Sequence, residues 1–241
     1  ILVQAYDSFG NASKVQDIVF KTEGVTEVLP DTLPETIENG KFLDMSFDNS
    51  DLTDSEGQVQ GEAAGNVTYE KGMKGKAAHV PAGNRNYISL GQNPNMNLEN
   101  GGSLTINFWV NSKSTSGDAA VISNKNWNSG KNRGWYVGYR LSNLNSIGVN
   151  AADGSNRIDF DGYSGFSSNW KMVTILFDRE NKVSKIYIDG RESSQKDMSA
   201  IGELSTDYPV KIGVDGNGGN GNADFLMDEL QMWGRVLTDE E

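Results

Sequence analysis

The 241 residues carry 21 Lys and Arg against 33 Asp and Glu, a formal charge of −12, and they include no cysteine and one histidine. An acidic mean field has the wrong sign for phosphate backbones, and Lys and Arg are nowhere clustered, so nucleic acid is excluded as a partner class. Without cysteine there is no disulfide framework or thiolate centre, and His79 alone disfavours zinc. No apolar stretch has the length of a membrane span, so membrane insertion is not expected. The opening Ile1-Leu2-Val3-Gln4 lacks the basic n-region of a signal peptide. A start in strand-like sequence without Met predicts a chain cut from a longer polypeptide with further domains. The acidic surface fits neutral sugars and hard cations such as Ca²⁺, and it equally fits a plain solvated face.

In chain order, Leu2 to Tyr6 and Val15 to Phe20 alternate apolar and polar around a turn at Asp7-Ser8-Phe9-Gly10-Asn11, which predicts a hairpin. Two strands are not stable alone. Residues 1–22 are therefore expected to be the closing hairpin of a preceding immunoglobulin- or fibronectin-like domain. Residues 23–40, with Pro30 and Pro34 among Thr and Glu, have linker composition. The main domain is expected over 41–241.

From there short alternating runs recur between turns rich in Gly, Asn, Asp and Ser. Strands are predicted at Phe42 to Phe47, Ala77 to Val80, Tyr87 to Leu90, Leu104 to Val110, Ala119 to Ser123 and Trp135 to Tyr139. Others follow at Ser146 to Val149, Arg157 to Phe160, Lys171 to Phe177, Ser184 to Ile188, Val210 to Ile212 and Phe225 to Trp233. The fold class is all-β, a two-sheet antiparallel jelly-roll sandwich. Period-2 alternation assigns Leu104, Ile106, Phe108 and Val110 to the core and Thr105, Asn107 and Trp109 to the opposite face. The 28 glycines fall mostly in turns such as Asp153-Gly154 and Asp189-Gly190.

Several of these segments carry a resemblance. Leu43-Asp44-Met45-Ser46-Phe47-Asp48, Gly75-Lys76-Ala77-Ala78-His79-Val80 and Ser103-Leu104-Thr105-Ile106-Asn107-Phe108-Trp109-Val110 come first. Ile122-Ser123-Asn124-Lys125-Asn126-Trp127, Gly134-Trp135-Tyr136-Val137-Gly138 and Asn169-Trp170-Lys171-Met172-Val173 follow. Lys185-Ile186-Tyr187-Ile188-Asp189-Gly190 and Phe225 to Trp233 complete the series. In this order, from Lys41 to the end, they resemble the bacterial laminin-G-like group of concanavalin A-like domains. Lys171 departs from the family's usual histidine, which touches packing more than function. The resemblance implies the jelly-roll fold but not the ligand, since the fold hosts lectins, adhesion modules and enzymes. It also implies a structural Ca²⁺, with Asp48 and Asp228 as ligands and Asn49, Asp51 or Asp54 completing the shell. The alternative is a solvated acidic loop. The Asp48 to Gly57 segment fails the EF-hand pattern.

Catalysis is disfavoured by chemistry. Enzymes of this fold place acids at alternate strand positions as E-x-D-x-E, which does not occur here, and Asp228 and Glu229 as strand neighbours should face opposite ways. His79, inside an alternating strand, is expected to be structural or solvent-facing. For sugar, an aromatic platform beside amides and carboxylates is required, since rings stack on pyranose C–H faces and polar groups bond hydroxyls. Trp127, with Lys125 and Asn126 in a loop poor in apolar company, meets that requirement. Asn150, Asp153, Asn156, Arg157 and Asp215 lie in turns able to converge on it, and Tyr163 is a second candidate platform. The competing reading makes Trp127 a local cap on the sheet edge. Asp215 to Asn222, Gly- and Asn-rich, reads as a mobile hairpin loop.

These readings predict a non-catalytic carbohydrate-binding accessory module, monomeric, from a larger secreted or surface-displayed bacterial protein. Its resemblance to modules appended to secreted hydrolases and phosphoesterases suggests such a parent. A protein-binding or spacer module is the first rival, and a glycan-active hydrolase or lyase the second.

Overall fold

The structure is a computed structural model that describes residues 2–3, 16–17, 37–115, 117–127, 130–140, 143–164 and 169–241. The chain divides into two compact units, Ile1–Asn39 and Gly40–Glu241. In the first, β1 (Leu2–Val3) pairs antiparallel with β2 (Gln16–Asp17). The rest of the expected hairpin, and the linker up to residue 36, lie outside the described residues.

The second unit is an antiparallel sandwich. One sheet runs, in spatial order, β12 (Arg157–Ser164), β11 (Asn143–Ala152), β10 (Gly134–Arg140), β9 (Ala119–Ser123), β16 (Val210–Ile212), β7 (Tyr87–Gly91) and β4 (Glu62–Ala64). The other runs β15 (Arg191–Asp197), β14 (Val183–Ile188), β13 (Lys171–Asp178), β8 (Leu104–Thr115), β17 (Ala223–Trp233), β6 (Lys76–Val80) and β5 (Thr68–Lys71). A further strand, β3 (Lys41–Met45), pairs with β17 beyond the end of β6. Leu104, Ile106, Phe108 and Val110 are fully buried in the core, as their alternation requires, while Trp109 on the other face is only partly buried. All twelve predicted strands are present. The sequence reading missed β4, β5 and β15, which are polar and mostly exposed and so show no apolar period.

Two glycines are needed inside strands. Gly138 and Gly148 are register partners on β10 and β11. A Cβ on Gly138 would stand 2.4 Å from the Ala119 carbonyl oxygen and 2.7 Å from the Tyr136 ring, and one on Gly148 would stand 2.5 Å from the Arg140 stem and from Asp161 Oδ1. Their bare backbone lets Tyr136 and Arg140 lie down along the sheet.

Strand β17 is bulged where it changes partner. The register shifts between Asp228 and Gln231, and Glu229 adopts φ +47°. That twist corrects the expectation of opposed carboxylates, because both now reach the β5–β6 hairpin. Asp228 Oδ2 accepts the Lys74 N–H at 3.0 Å, and Glu229 Oε1 accepts from the Lys74 ammonium at 3.2 Å. Across the hairpin Asp48 Oδ1 accepts the Lys76 N–H at 2.9 Å. Asp228 is fully buried, and burial pushes its carboxyl up to about 7 despite those N–H bonds.

Two expectations follow. Gly138→Ala should cost about 1–3 kcal/mol by overpacking, read as a lower urea midpoint; an unchanged midpoint would contradict the close approach. Because the folded state holds the Asp228 proton to higher pH than the unfolded chain, stability falls as pH rises through that interval. From pH 5 to pH 8 the protein should lose about 2–3 kcal/mol, and Asp228→Asn should flatten most of that slope in paired denaturation curves.

Candidate functional site

The site grows from the outer face of the seven-stranded sheet. On β10, Trp135, Val137 and Tyr139 belong to the core cluster, so Tyr136, Gly138 and Arg140 face outward. Tyr136 is nevertheless fully buried, because Trp127 from the β9–β10 loop stacks on it with ring centroids 4.2 Å apart and planes 20° from parallel. Such a pair contributes about 0.5–1.5 kcal/mol beyond its area. The guanidiniums of Arg140 and Arg157 stand 5.6 and 5.4 Å from the Trp127 ring centroid, within cation–π range.

Beside the aromatic pair lies a polar network. Asn150, the β11 partner of Tyr136, donates from Nδ2 to Ile158 O (3.0 Å) and Asp159 Oδ1 (2.9 Å). Asp159 also accepts from Arg157 Nη2 (2.7 Å) and Arg140 Nη1 (3.2 Å), and Arg140 Nε pairs with Asp161 at 3.2 Å. Burial pushes the Asp159 carboxyl up, but the bond from Arg157 and those beside it outweigh this and hold it below the usual range. Among the described residues, the buried Tyr136 hydroxyl and Asn150 Oδ1 on this face find no hydrogen-bond partner. Unsatisfied buried groups are rare and mark places where a water or a ligand completes the bonding. Burial drives the Tyr136 hydroxyl well above 10, so it is a donor at any physiological pH.

The sequence-derived residues sort by what they touch. Trp127 and Arg157 are the outermost members. Lys125 is fully buried beneath them, its Nζ on Asn132 O, and burial with help from Arg157 pushes its ammonium down to about 8. Asn126 is partly buried and accepts from Asn132 Nδ2 at its carbonyl, 3.1 Å. Asp215 is fully buried and acts at one remove: Oδ2 accepts the Trp127 N–H (2.8 Å), and Oδ1 accepts those of Gly219 (2.6 Å) and Asn220 (2.9 Å). These bonds make it a positioning group for the Trp127 loop. The same bonds correct the mobile-loop reading of Asp215 to Asn222. Asn220 Oδ1 accepts the Ala120 N–H (3.0 Å), and Asn84 bonds Gly219 and Gly221, so the segment is pinned across the sheet. Asp153 is spent on the β11–β12 turn, accepting from Ser155, Asn156 and Gly202, and those bonds hold its carboxyl below the usual range against the opposing effect of burial. The Tyr163 side chain lies outside the described residues.

Tyr136, Arg140, Asp159 and Asp161 were missed. The signal available for them was glycine inside two apolar strands, Gly138 and Gly148, which marks a close approach.

The carboxylates expected to hold Ca²⁺ are largely engaged by hydrogen bonds of the protein itself. Among the described residues no three His, Asp or Glu side chains group so as to hold a metal ion. Asp54 is buried and accepts four backbone N–H groups, from Asp44, Glu56, Gln58 and Val59 at 2.9–3.1 Å. Asp51 closes its own turn on Thr53, and Asn49 is exposed. Asp48 and Asp228 do meet at one hairpin, but N–H donors and the Lys74 ammonium face them there. The loop relieves part of its charge through the backbone N–H groups that Asp54 and Asp51 accept. His79 lies between Glu70 and Asp224, each 2.8 Å from a ring nitrogen, in a cross-strand ladder of β5, β6 and β17.

Comparison with known proteins places the fold. Botulinum neurotoxin type X of Clostridium botulinum is 22% identical over 218 residues, covering 85% of this chain and 15% of that protein. The binding domain of Paraclostridial Mosquitocidal Protein 1 superposes with a TM-score of 0.70 at 17% identity, over 83% of this chain and 50% of that one. A botulinum neurotoxin type C structure, described as showing cell entry dependent upon interaction with two ganglioside molecules, gives 0.63 at 16% identity over 83% and 49%. The chain thus spans a small part of the curated relative and about half of the structural ones. A family model described as concanavalin A-like lectin/glucanases superfamily, of the laminin-G-3 type, matches residues 82–241, more than half of the sequence, and the chain belongs to that family.

Proposed function

We propose that this chain is a non-catalytic glycan-binding module of a larger extracellular protein, with its site on the outer face of the seven-stranded sheet. The observation that carries the reading is the Trp127–Tyr136 stack, with the Tyr136 hydroxyl and Asn150 Oδ1 beside it unpartnered among the described residues. An aromatic fixed in orientation, flanked by guanidiniums and a carboxylate, supplies the stacking surface and hydroxyl partners that a pyranose needs. The ganglioside interaction described for the type C toxin belongs to a domain of which half is matched here, and it supports a binding role in general. The similarity to botulinum neurotoxin type X supports an extracellular setting.

The carboxylates on this face do not support catalysis. Asp159 and Asp161 share one strand face at alternate positions, the spacing of a glycosidase pair, but Arg140 bridges both and Asp159 is held ionised. A protein-docking role wants a contiguous apolar patch. In the sandwich unit the large apolar side chains most exposed among the described residues are Met73, at the β5–β6 hairpin tip, and Tyr208, before β16, on elements of different sheets.

On a glycan array the wild-type module should show saturable binding that survives EDTA. Trp127→Ala and Arg157→Ala should each weaken it at least about tenfold with circular dichroism unchanged. Binding insensitive to both substitutions would overturn the location of the site, and binding abolished by EDTA would overturn its independence of metal.

A further inference from the structure

The described loops border a second polar feature, an open cleft of about 380 Å³ lined by Asn97, Glu99, Arg133, Ser205, Thr206 and Asp207. None of these belongs to the Trp127 surface. The cleft is built around one amide. Asn97 Oδ1 accepts from Asn124 Nδ2 (3.2 Å) and from the Thr206 N–H (2.9 Å), and Asn97 Nδ2 donates to Glu99 Oε1 (3.3 Å). Three loops, those after β7, after β9 and before β16, therefore meet at a single side chain. Arg133 is anchored by Nε on Asp153 O at 3.0 Å, which fixes the base of an exposed guanidinium at the rim.

Backbone strain gathers at the same place. Leu98 and Asn100, on either side of Glu99, hold φ of 53° and 56°. Non-glycine residues persist in that region only where their surroundings compel them, and such sites concentrate around ligand contacts. Tyr208 follows the lining segment directly and is 38% exposed. Gly216 lets it approach: a Cβ there would stand 2.6 Å from the Asn124 carbonyl and 2.9 Å from Tyr208 Cβ. Gly216 thus sits between the base of Tyr208 and Asn124, at the start of the loop that carries Trp127.

The charge of the lining selects the ligand. Two carboxylates, Glu99 and Asp207, face one guanidinium, Arg133, which leaves the cleft net negative and rich in paired donors and acceptors. A neutral polyhydroxylated ring satisfies such a lining, whereas a sialylated or phosphorylated one meets repulsion. We propose that this cleft is a second subsite for a neutral sugar ring, with Tyr208 as its stacking face. The β9–β10 loop is then shared between two sugar-binding surfaces, and the module takes an oligosaccharide rather than a single ring. The proposal rests on the glycan reading above.

The test is calorimetric titration of the wild type with neutral oligosaccharides of one to four rings, taken from the hits on an array that also carries sialylated glycans. Affinity should rise by about tenfold or more with chain length, and Tyr208→Ala and Glu99→Gln should each abolish that rise. A length dependence unchanged in both variants overturns the second subsite and leaves the Trp127 site standing. Binding confined to sialylated glycans overturns the charge argument and with it this subsite. Absence of any glycan binding overturns both proposals together.

Discussion

A buried aromatic on the solvent side of its own sheet is the constraint around which the site is arranged. Tyr136 points away from the core, yet it is fully covered. Leaving a tyrosine ring in water forgoes roughly 1.5–3 kcal/mol of hydrophobic stabilisation, and covering it requires another element to cross the sheet. Trp127 does this, and it can only do so if the loop that carries it is fixed. Asp215 fixes the loop through the Trp127 N–H, and the 215–222 segment is in turn pinned by Asn220 and Asn84. Glycine at 138 and 148 supplies the bare floor. The result is a rigid aromatic surface whose polar neighbours are already oriented, so little ordering entropy remains to oppose binding.

The eight-stranded sheet solves a different problem. Strand β17 must pair with β8 along one side and divide its other side between β6 and β3. The bulge at Asp228 and Glu229 makes that exchange and aims both carboxylates at the β5–β6 hairpin. A carboxylate committed to backbone N–H groups under full burial is a structural fastener.

The sandwich was legible because its core strands have one apolar face. Leu104, Ile106, Phe108 and Val110 announce themselves by alternation, and the ordered strand signatures carried the family resemblance. Strand β15, with no apolar residue in Arg191–Asp197, gives no such signal; it pairs with β14 and lies in contact with β12. The site was half legible. Trp127 stood out because its loop offers it no apolar neighbours nearby in sequence, and Arg157 followed from its position beside a turn. Tyr136 was hidden between Trp135 and Val137, where three large apolar residues in succession mask which one faces outward. Its role depends on the register that sets it opposite Asn150, a long-range fact. Asp153 and Asp215 show the converse: turn carboxylates resemble ligand contacts in sequence, and only the N–H groups they accept reveal that they are occupied.

The most direct test of the account is to follow the five indole N–H resonances by heteronuclear NMR while a glycan that the module binds is titrated in. Trp127 is the one tryptophan on the proposed surface, whereas Trp135 and Trp233 are buried in the sandwich. The account predicts that the Trp127 indole resonance moves with ligand and saturates, with the Trp135 and Trp233 resonances still. Saturable movement at Trp109 or Trp170 with Trp127 unchanged would place the ligand elsewhere and contradict it.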